Sequence, residues 1–219
     1  MKKENKKEIE FKANKKLIRQ VKLFYAFMYQ TKMRPKYLMT LADIKCRRTF
    51  ERDLIDFRDS GLFNAVYNRK SRQLKLYHCD FNKSVSGYRR KKLERLYRIC
   101  TIFNSAITVD AGEYYSELEL IKDCKENNEE YIPDYNIDSN ICELYEERFP
   151  GTSKRTRQRD FRIINCAGRF ESKTNFKRVD FKIIYDRTFK KYLLLTDLGD
   201  LYASDIFEIH FDDKKNAPS

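Results

Sequence analysis

The chain repeats itself. Residues 46–63 read CRRTFERDLIDFRDSGLF and residues 153–170 read SKRTRQRDFRIINCAGRF. At a constant offset of 107, Arg48, Thr49, Arg52, Asp53, Gly61 and Phe63 fall on Arg155, Thr156, Arg159, Asp160, Gly168 and Phe170. A second match follows at an offset of 118, FNAVYNRKSRQLKLY (63–77) against FKIIYDRTFKKYLLL (181–195). It sets Phe63, Tyr67 and Arg69 on Phe181, Tyr185 and Arg187. Two blocks duplicated in the same order describe two copies of one small module, and a repeat decides the architecture before any side chain has a role.

Each copy can be read from its periodicity. Phe50, Leu54 and Phe57 are spaced i, i+4, i+7, one face of a helix, and Gly61 stands where that helix stops. Phe63–Tyr67 and the period-two Leu74 and Leu76, parted by the polar Asn68–Arg72, predict a β-hairpin. Upstream, Leu17, Val21, Phe24 and Met28 mark a first amphipathic helix, and Pro35 opens a short second one through about Ala42. Helix, short helix, turn, helix, hairpin is the order of a winged helix-turn-helix. The expected fold class is therefore α+β, two tandem winged-helix modules, each a three-helix core with a β-hairpin wing.

The blocks RRTFERDLIDFRDSGLF and KRTRQRDFRIINCAGRF resemble the third-helix signature of DeoR-type winged helices, the kind that heads many WYL-domain transcriptional regulators. In that family a Ser/Thr-rich helix start leads into an Arg-Asp pair, apolar positions and a closing Gly. The resemblance covers about two-thirds of the chain, as two separate copies. The chain has no Trp, so the Trp-Tyr-Leu sensing domain is not present in recognisable form. What the resemblance implies is a bacterial-type DNA-binding regulator with two reading heads and no usual sensor.

Organisation follows from these marks. Residues 1–13 read as a basic flexible arm, the N-terminal cluster running Lys2, Lys3, Lys6, Lys7, Lys12, Lys15 and Lys16. Residues 14–78 form the first module, 79–87 a linker, 88–196 the second module, and 197–219 a C-terminal extension and tail. Tyr88–Phe103 carries a helical stripe of Leu93, Leu96, Tyr97, Cys100 and Phe103. Ile141–Phe149 is the short helix of the second module, capped by Ser139 or Asp138 and closed by Pro150-Gly151. Residues 104–137 then become an acidic insertion, with an extra helix at Glu113–Lys125 that turns Tyr114, Leu118 and Ile121 inward.

Charge points to the partner. The chain has 219 residues, 46 Lys plus Arg and 33 Asp plus Glu, a formal +13. Residues 110–147 hold 13 acidic and 2 basic side chains, a net −11, so the remainder carries +24. A strongly basic body favours double-stranded DNA, and the acidic segment is either a solvated face or a contact for a protein partner. No apolar run approaches the ~20 residues of a membrane span, and no signal-peptide core follows the basic start, so the expected location is cytoplasmic. Six Cys without a C-x-x-C pair suit free thiols in a reducing compartment. No cofactor, metal or enzymatic activity is expected. His78 and His210 lie far apart, His210 with Asp212 and Asp213 reads as a solvated tail, and no phosphate-cradling Gly loop occurs.

The third helices carry the candidate recognition chemistry. With Phe50, Leu54 and Phe57 buried, Arg48, Arg52 and Ile55 face outward with Glu51 at the edge. In the second copy these are Arg155, Arg159 and Arg162, with Gln158 at the edge and Lys154 and Arg157 nearby. Guanidinium forks suit guanine O6 and N7, and Gln suits adenine. Asp53 and Asp160 are expected in salt bridges that position the helices. Residues 45–60 carry a net +1 and residues 153–168 a net +4, so the second helix is expected to be the stronger DNA contact. Arg69, Lys70 and Arg72, and Arg187, Lys190 and Lys191, would sit at wing tips against phosphates. Two other readings stay open: a replication initiator of a plasmid or mobile element, and a protein-docking module without DNA binding. A homodimer reading a palindrome through the second module alone is the alternative to one chain reading two half-sites.

Overall fold

The computed structural model describes residues 2–28, 33–130, 140–171 and 178–197. Among them are seven helices and two small sheets, an α+β arrangement. The chain begins with α1 (Lys2–Met28), α2 (Pro35–Leu41) and α3 (Arg47–Asp59), then the hairpin β1 (Asn64–Asn68) and β2 (Gln73–Tyr77). It continues with α4 (Gly87–Ser105), β3 (Thr108–Asp110), α5 (Ala111–Glu126), α6 (Ile141–Arg148) and α7 (Lys154–Ala167). β4 (Arg169–Glu171), β5 (Arg178–Asp186) and β6 (Lys191–Asp197) close the described residues. The second sheet has the order β3-β6-β5-β4, with β3 parallel to β6 and the other pairs antiparallel. No helix of the described residues is long and apolar enough to cross a membrane.

The repeat survives in the backbone down to its turns. Asn68 pairs with Gln73 to close the first hairpin, and Asp186 pairs with Lys191, 118 residues on, to close the second. The side chain of Asn68 accepts the N–H groups of Lys70 and Ser71, and that of Asp186 accepts those of Thr188 and Phe189. Such Asx caps replace the missing backbone partners of a turn. Arg72 (φ 55°) and Lys190 (φ 54°) end the two turns in the left-handed region, again at equivalent positions. Gly61 and Gly168 also match in sequence but serve different needs. Gly61 has φ +77°, while Gly168 has no room for a Cβ, which would fall 2.1 Å from the Phe181 carbonyl oxygen.

The first helices match at an offset of 76, which periodicity alone had left unpaired. Leu23, Phe24 and Phe27 of α1 stand where Ile99, Cys100 and Phe103 stand in α4, and all six are buried. Phe27 meets Phe63 with ring centroids 4.9 Å apart, and Phe103 meets Phe181 at 5.1 Å, one contact made twice. Packing between the halves is reciprocal: α1 lies on α7, α4 lies on α3, and α1 and α4 touch each other.

That reciprocity joins the two copies through one core. One hydrophobic cluster runs from Ile18 through Phe57 and Phe103 to Leu194. Tyr25 of α1 stacks on Phe181 of β5 at 3.6 Å and meets Phe103 of α4 at 3.7 Å. Residues 23–28 of α1 are buried on every side because both halves close over them. The expected linker is docked as well. Asn82 donates its backbone N–H to the Asp59 carbonyl, and Val85 is buried.

Smaller departures have local causes. α1 starts at Lys2, so its backbone takes in residues 2–13, expected as an arm. The cap of α6 is Asn140, whose side chain accepts the Cys142 N–H; Ser139 and Asp138 lie outside the described residues. Within the expected insertion, α5 does turn Tyr114 and Ile121 inward; Tyr114 joins a small cluster with Val109, Leu193 and Leu195, against which the partly buried Leu118 packs. Residues 131–139, the tail beyond 197, and with it His210, Asp212 and Asp213, lie outside the described residues.

Candidate nucleic-acid interface

The third helices start differently. Ser153 caps α7 by accepting the Thr156 N–H, whereas Cys46 occupies the same place on α3 and closes no capping hydrogen bond. The amides of Thr49 and Arg48 nonetheless point at the exposed Cys46 and hold its thiol below the ordinary value. From there on the two helices present the same pattern. Residues 48, 51, 52, 55 and 58 of α3 are exposed, as are 155, 158, 159, 162 and 165 of α7. Residues 53, 56, 57 and 60 are buried, as are 160, 163, 164 and 167.

Each helix is set in place by its buried aspartate. Arg19 of α1 holds Asp53 through both carboxylate oxygens, at 2.7 and 3.0 Å. Arg95 and Arg98 of α4 hold Asp160 at 2.8 and 2.9 Å, and the Tyr145 hydroxyl of α6 donates to it at 2.7 Å. The salt bridges expected for these two residues run between helices, with arginine partners on the first helix of the same half. Burial raises the Asp53 carboxyl above its usual range against the pull of Arg19. At Asp160 the charge shows on the partners. Burial and the neighbouring carboxylate push the Tyr145 phenol far up, and Arg98 is held above its ordinary value despite burial. Asn165 then ties α7 to the second hairpin, donating to the Ile183 carbonyl at 2.9 Å and accepting its N–H at 2.7 Å.

The charge balance of the two helices needs correction. Of the four acids in residues 45–60, Asp53, Asp56 and Asp59 are buried and turned inward. Asp56 accepts from Gln20 at 2.8 Å and pairs with Lys16; Asp59 pairs with Arg89 at 2.6 Å. Burial alone would raise Asp59, but hydrogen bonds from Asn82 and Arg58 and the charge of Arg89 hold it below its ordinary value. Solvent therefore meets five bases on this stretch (Lys45, Arg47, Arg48, Arg52, Arg58) and one acid, Glu51, itself paired with Arg47. On the second stretch it meets Lys154, Arg155, Arg159 and Arg162 and no acid: Asp160 is buried, and Arg157 is mostly covered and paired with Glu146 of α6. The exposed charge is +4 on both, and the expected advantage of the second helix in total charge disappears. Arg157 leaves the candidate surface for the same reason: it replaces Phe50 at a half-buried position and satisfies itself on α6.

The remaining candidates lie in the open. Arg48, Glu51, Arg52 and Ile55 are exposed on α3, and Lys154, Arg155, Gln158, Arg159 and Arg162 on α7. Arg69, Lys70 and Arg72 are exposed in the first turn, and Arg187 and Lys190 in the second, while Lys191 is half-buried at the start of β6. Residues absent from the sequence-based set are Tyr67 and Tyr185, one on each hairpin, half exposed beside the basic turns. The offset of 118 had aligned them without giving them a role. No group of three or more metal-ligating side chains occurs among the described residues. No family model, curated protein or solved structure matches the chain.

Proposed function

We propose that the chain binds double-stranded DNA through two winged helix-turn-helix units in tandem, as a cytoplasmic transcriptional regulator. The first unit is α1, α2, α3 and the hairpin β1–β2. The second is α4, α6, α7 and the hairpin β5–β6, with β3 and α5 as an addition between its first two helices. One observation carries the reading: both third helices bury their aspartates and turn an arginine face outward, at equivalent positions. Solvent-facing guanidinium groups on a braced helix suit the major groove, and basic hairpin turns suit phosphates. The likeness to DeoR-type heads and the +24 body agree with it. The acidic addition would repel a polyanion, so the basic third helices, and not α5, are the surface offered to DNA.

A mobility-shift titration tests this. The chain should bind a duplex of mixed sequence, and binding should weaken steeply with salt because several phosphates are neutralised. Arg48→Ala and Arg155→Ala should each weaken binding to a selected site by about 1–3 kcal/mol if a bidentate base contact is lost. No binding at low salt would overturn the proposal.

A further inference from the structure

We infer that Tyr67 and Tyr185, one on each hairpin, contact the sugar–phosphate edge of the duplex; the inference rests on the DNA-binding reading above. Tyr67 is paired with Leu74 and Ala65 with Leu76, and both leucines are buried. Directly paired residues share a face of the ladder, so Tyr67 lies on the side of the hairpin that faces the core. Tyr185 is paired with Tyr192 and follows Phe181 and Ile183 at a spacing of two, both of them buried. It too lies on the inner face.

Yet neither tyrosine reaches the core. Tyr67 is 49% exposed and Tyr185 51%. Tyr67 stands opposite the buried Leu74, and Tyr185 lies against the half-buried Tyr192 with ring centroids 4.9 Å apart. Half of each ring still faces solvent, on the inner face of its hairpin. Of the exposed large apolar side chains, these two stand at equivalent positions in both copies of the repeat. The turns that follow are alike, Asx-capped at Asn68 and Asp186 with an exposed arginine next at Arg69 and Arg187, although Asp186 also accepts the Tyr114 hydroxyl of α5.

A phenol beside a guanidinium suits one chemistry well. The hydroxyl donates to a phosphate oxygen, the ring lies against a deoxyribose, and the arginine supplies the charge. The phenol is neutral, so it adds affinity without releasing a counterion. This separates it from the arginine in experiment.

Two measurements on the full chain, with a mixed-sequence duplex of about 30 base pairs, test the inference. In the first, exposed tyrosines are nitrated with tetranitromethane and located by mass spectrometry, with and without the duplex. Tyr67 and Tyr185 should be protected several-fold, while Tyr115 on the acidic α5, 53% exposed, should react equally in both. In the second, Tyr67→Ala and Tyr185→Ala should each weaken binding about three- to tenfold with an unchanged salt slope, and Tyr→Phe at either position should recover part of the loss. Arg69→Ala should instead reduce the salt slope by about one. Unprotected Tyr67 and Tyr185 under conditions where the mobility shift persists would overturn the inference alone. Absence of any shift would overturn the DNA-binding reading with it.

Discussion

Asp53 and Asp160, 107 residues apart, are the same residue used twice. Arg19 Nε lies 2.7 Å from Asp53 Oδ2, and Arg95 Nε lies 2.8 Å from Asp160 Oδ1. Both carboxylates are fully buried, and each joins the third helix of its half to the first. The copies differ in how many side chains converge, Arg19 alone on Asp53 and Arg95, Arg98 and Tyr145 together on Asp160. Removing a carboxylate strands its partners, and a stranded buried charge costs more than the intact pair contributes. Asp160→Ala should therefore destabilise by about 3–5 kcal/mol. Asp53→Ala should cost less, about 1–3 kcal/mol, since one partly exposed arginine is left. Denaturant unfolding monitored by circular dichroism checks the order, and equal losses would contradict it.

Acid should separate two aspartates on the same helix. The Asp59 carboxyl is held below its ordinary value, so its contribution is present above the unfolded value of about 3.9 and is lost as pH falls through the folded one. The Asp53 carboxyl is raised, so its contribution is present below the unfolded value and is lost as pH rises through the folded one. Between about pH 6 and pH 3, Asp59→Asn should lose stability less steeply than the parent chain, and Asp53→Asn more steeply. Melting temperatures across that range check both signs.

The shared core predicts one unfolding event. Tyr25 is buried between Phe103 and Phe181 of the other half, so its removal opens a cavity that belongs to both. Tyr25→Ala should cost about 3–5 kcal/mol and lower a single transition. Fragments split near residue 86 should each fail to fold, because α4 and β5 then lose the aromatic face of α1. Two separable transitions would restore independent units.

Which parts of this could be read in the sequence follows from where each signal resides. Duplication writes itself into the order of residues, so the hairpin of 63–77 and its copy at 181–195 were visible as strings, as was the outward arginine row. The match of Phe27 to Phe103 was written there too, since KKLIR (15–19) recurs as KKLER (91–95) at the same offset of 76, but the string is short and the residues between it and the phenylalanine differ. The inward acids show the other limit. Asp53 lies at i+3 from Phe50 and i−4 from Phe57, so its spacing already puts it on the buried stripe. A charge balance summed along the chain counts it at the surface all the same. Its partner Arg19 is 34 residues away, and nothing in local periodicity joins the two.

The missing cap on α3 can be supplied. Ser153 accepts the Thr156 N–H at the start of α7, while Cys46 closes no such bond on α3. Cys46→Ser should stabilise the chain by about 0.5–1 kcal/mol, the usual value of an N-cap hydroxyl. The reverse change, Ser153→Cys, should cost a similar amount. Thermal unfolding of the two variants checks the pair, and a loss of stability in Cys46→Ser would show that the thiolate-favouring amides already serve as the cap.

The last prediction concerns how many chains a DNA site holds. In a symmetric dimer each chain would bring one third helix and would pair its first helix with the copy. Here α1 already packs on α4 and α7, and α4 on α3, within a single chain. Both third helices are thus held by one core and should engage two half-sites together, with the second contact effectively intramolecular. If both enter the major groove on one face of the duplex, the half-site centres should lie about 10 base pairs apart or a multiple of it. The total exposed charge of the two stretches is even, but the reading positions are not: Glu51 and Ile55 on α3 stand against Gln158 and Arg162 on α7. An apolar Ile55 suits a thymine methyl where Arg162 suits a guanine, so the half-sites should differ and the target should be asymmetric. Protection footprinting joined to sedimentation of the complex decides it. One chain covering two unlike half-sites is the expected result, and two chains on a palindrome would mean that only one third helix reads.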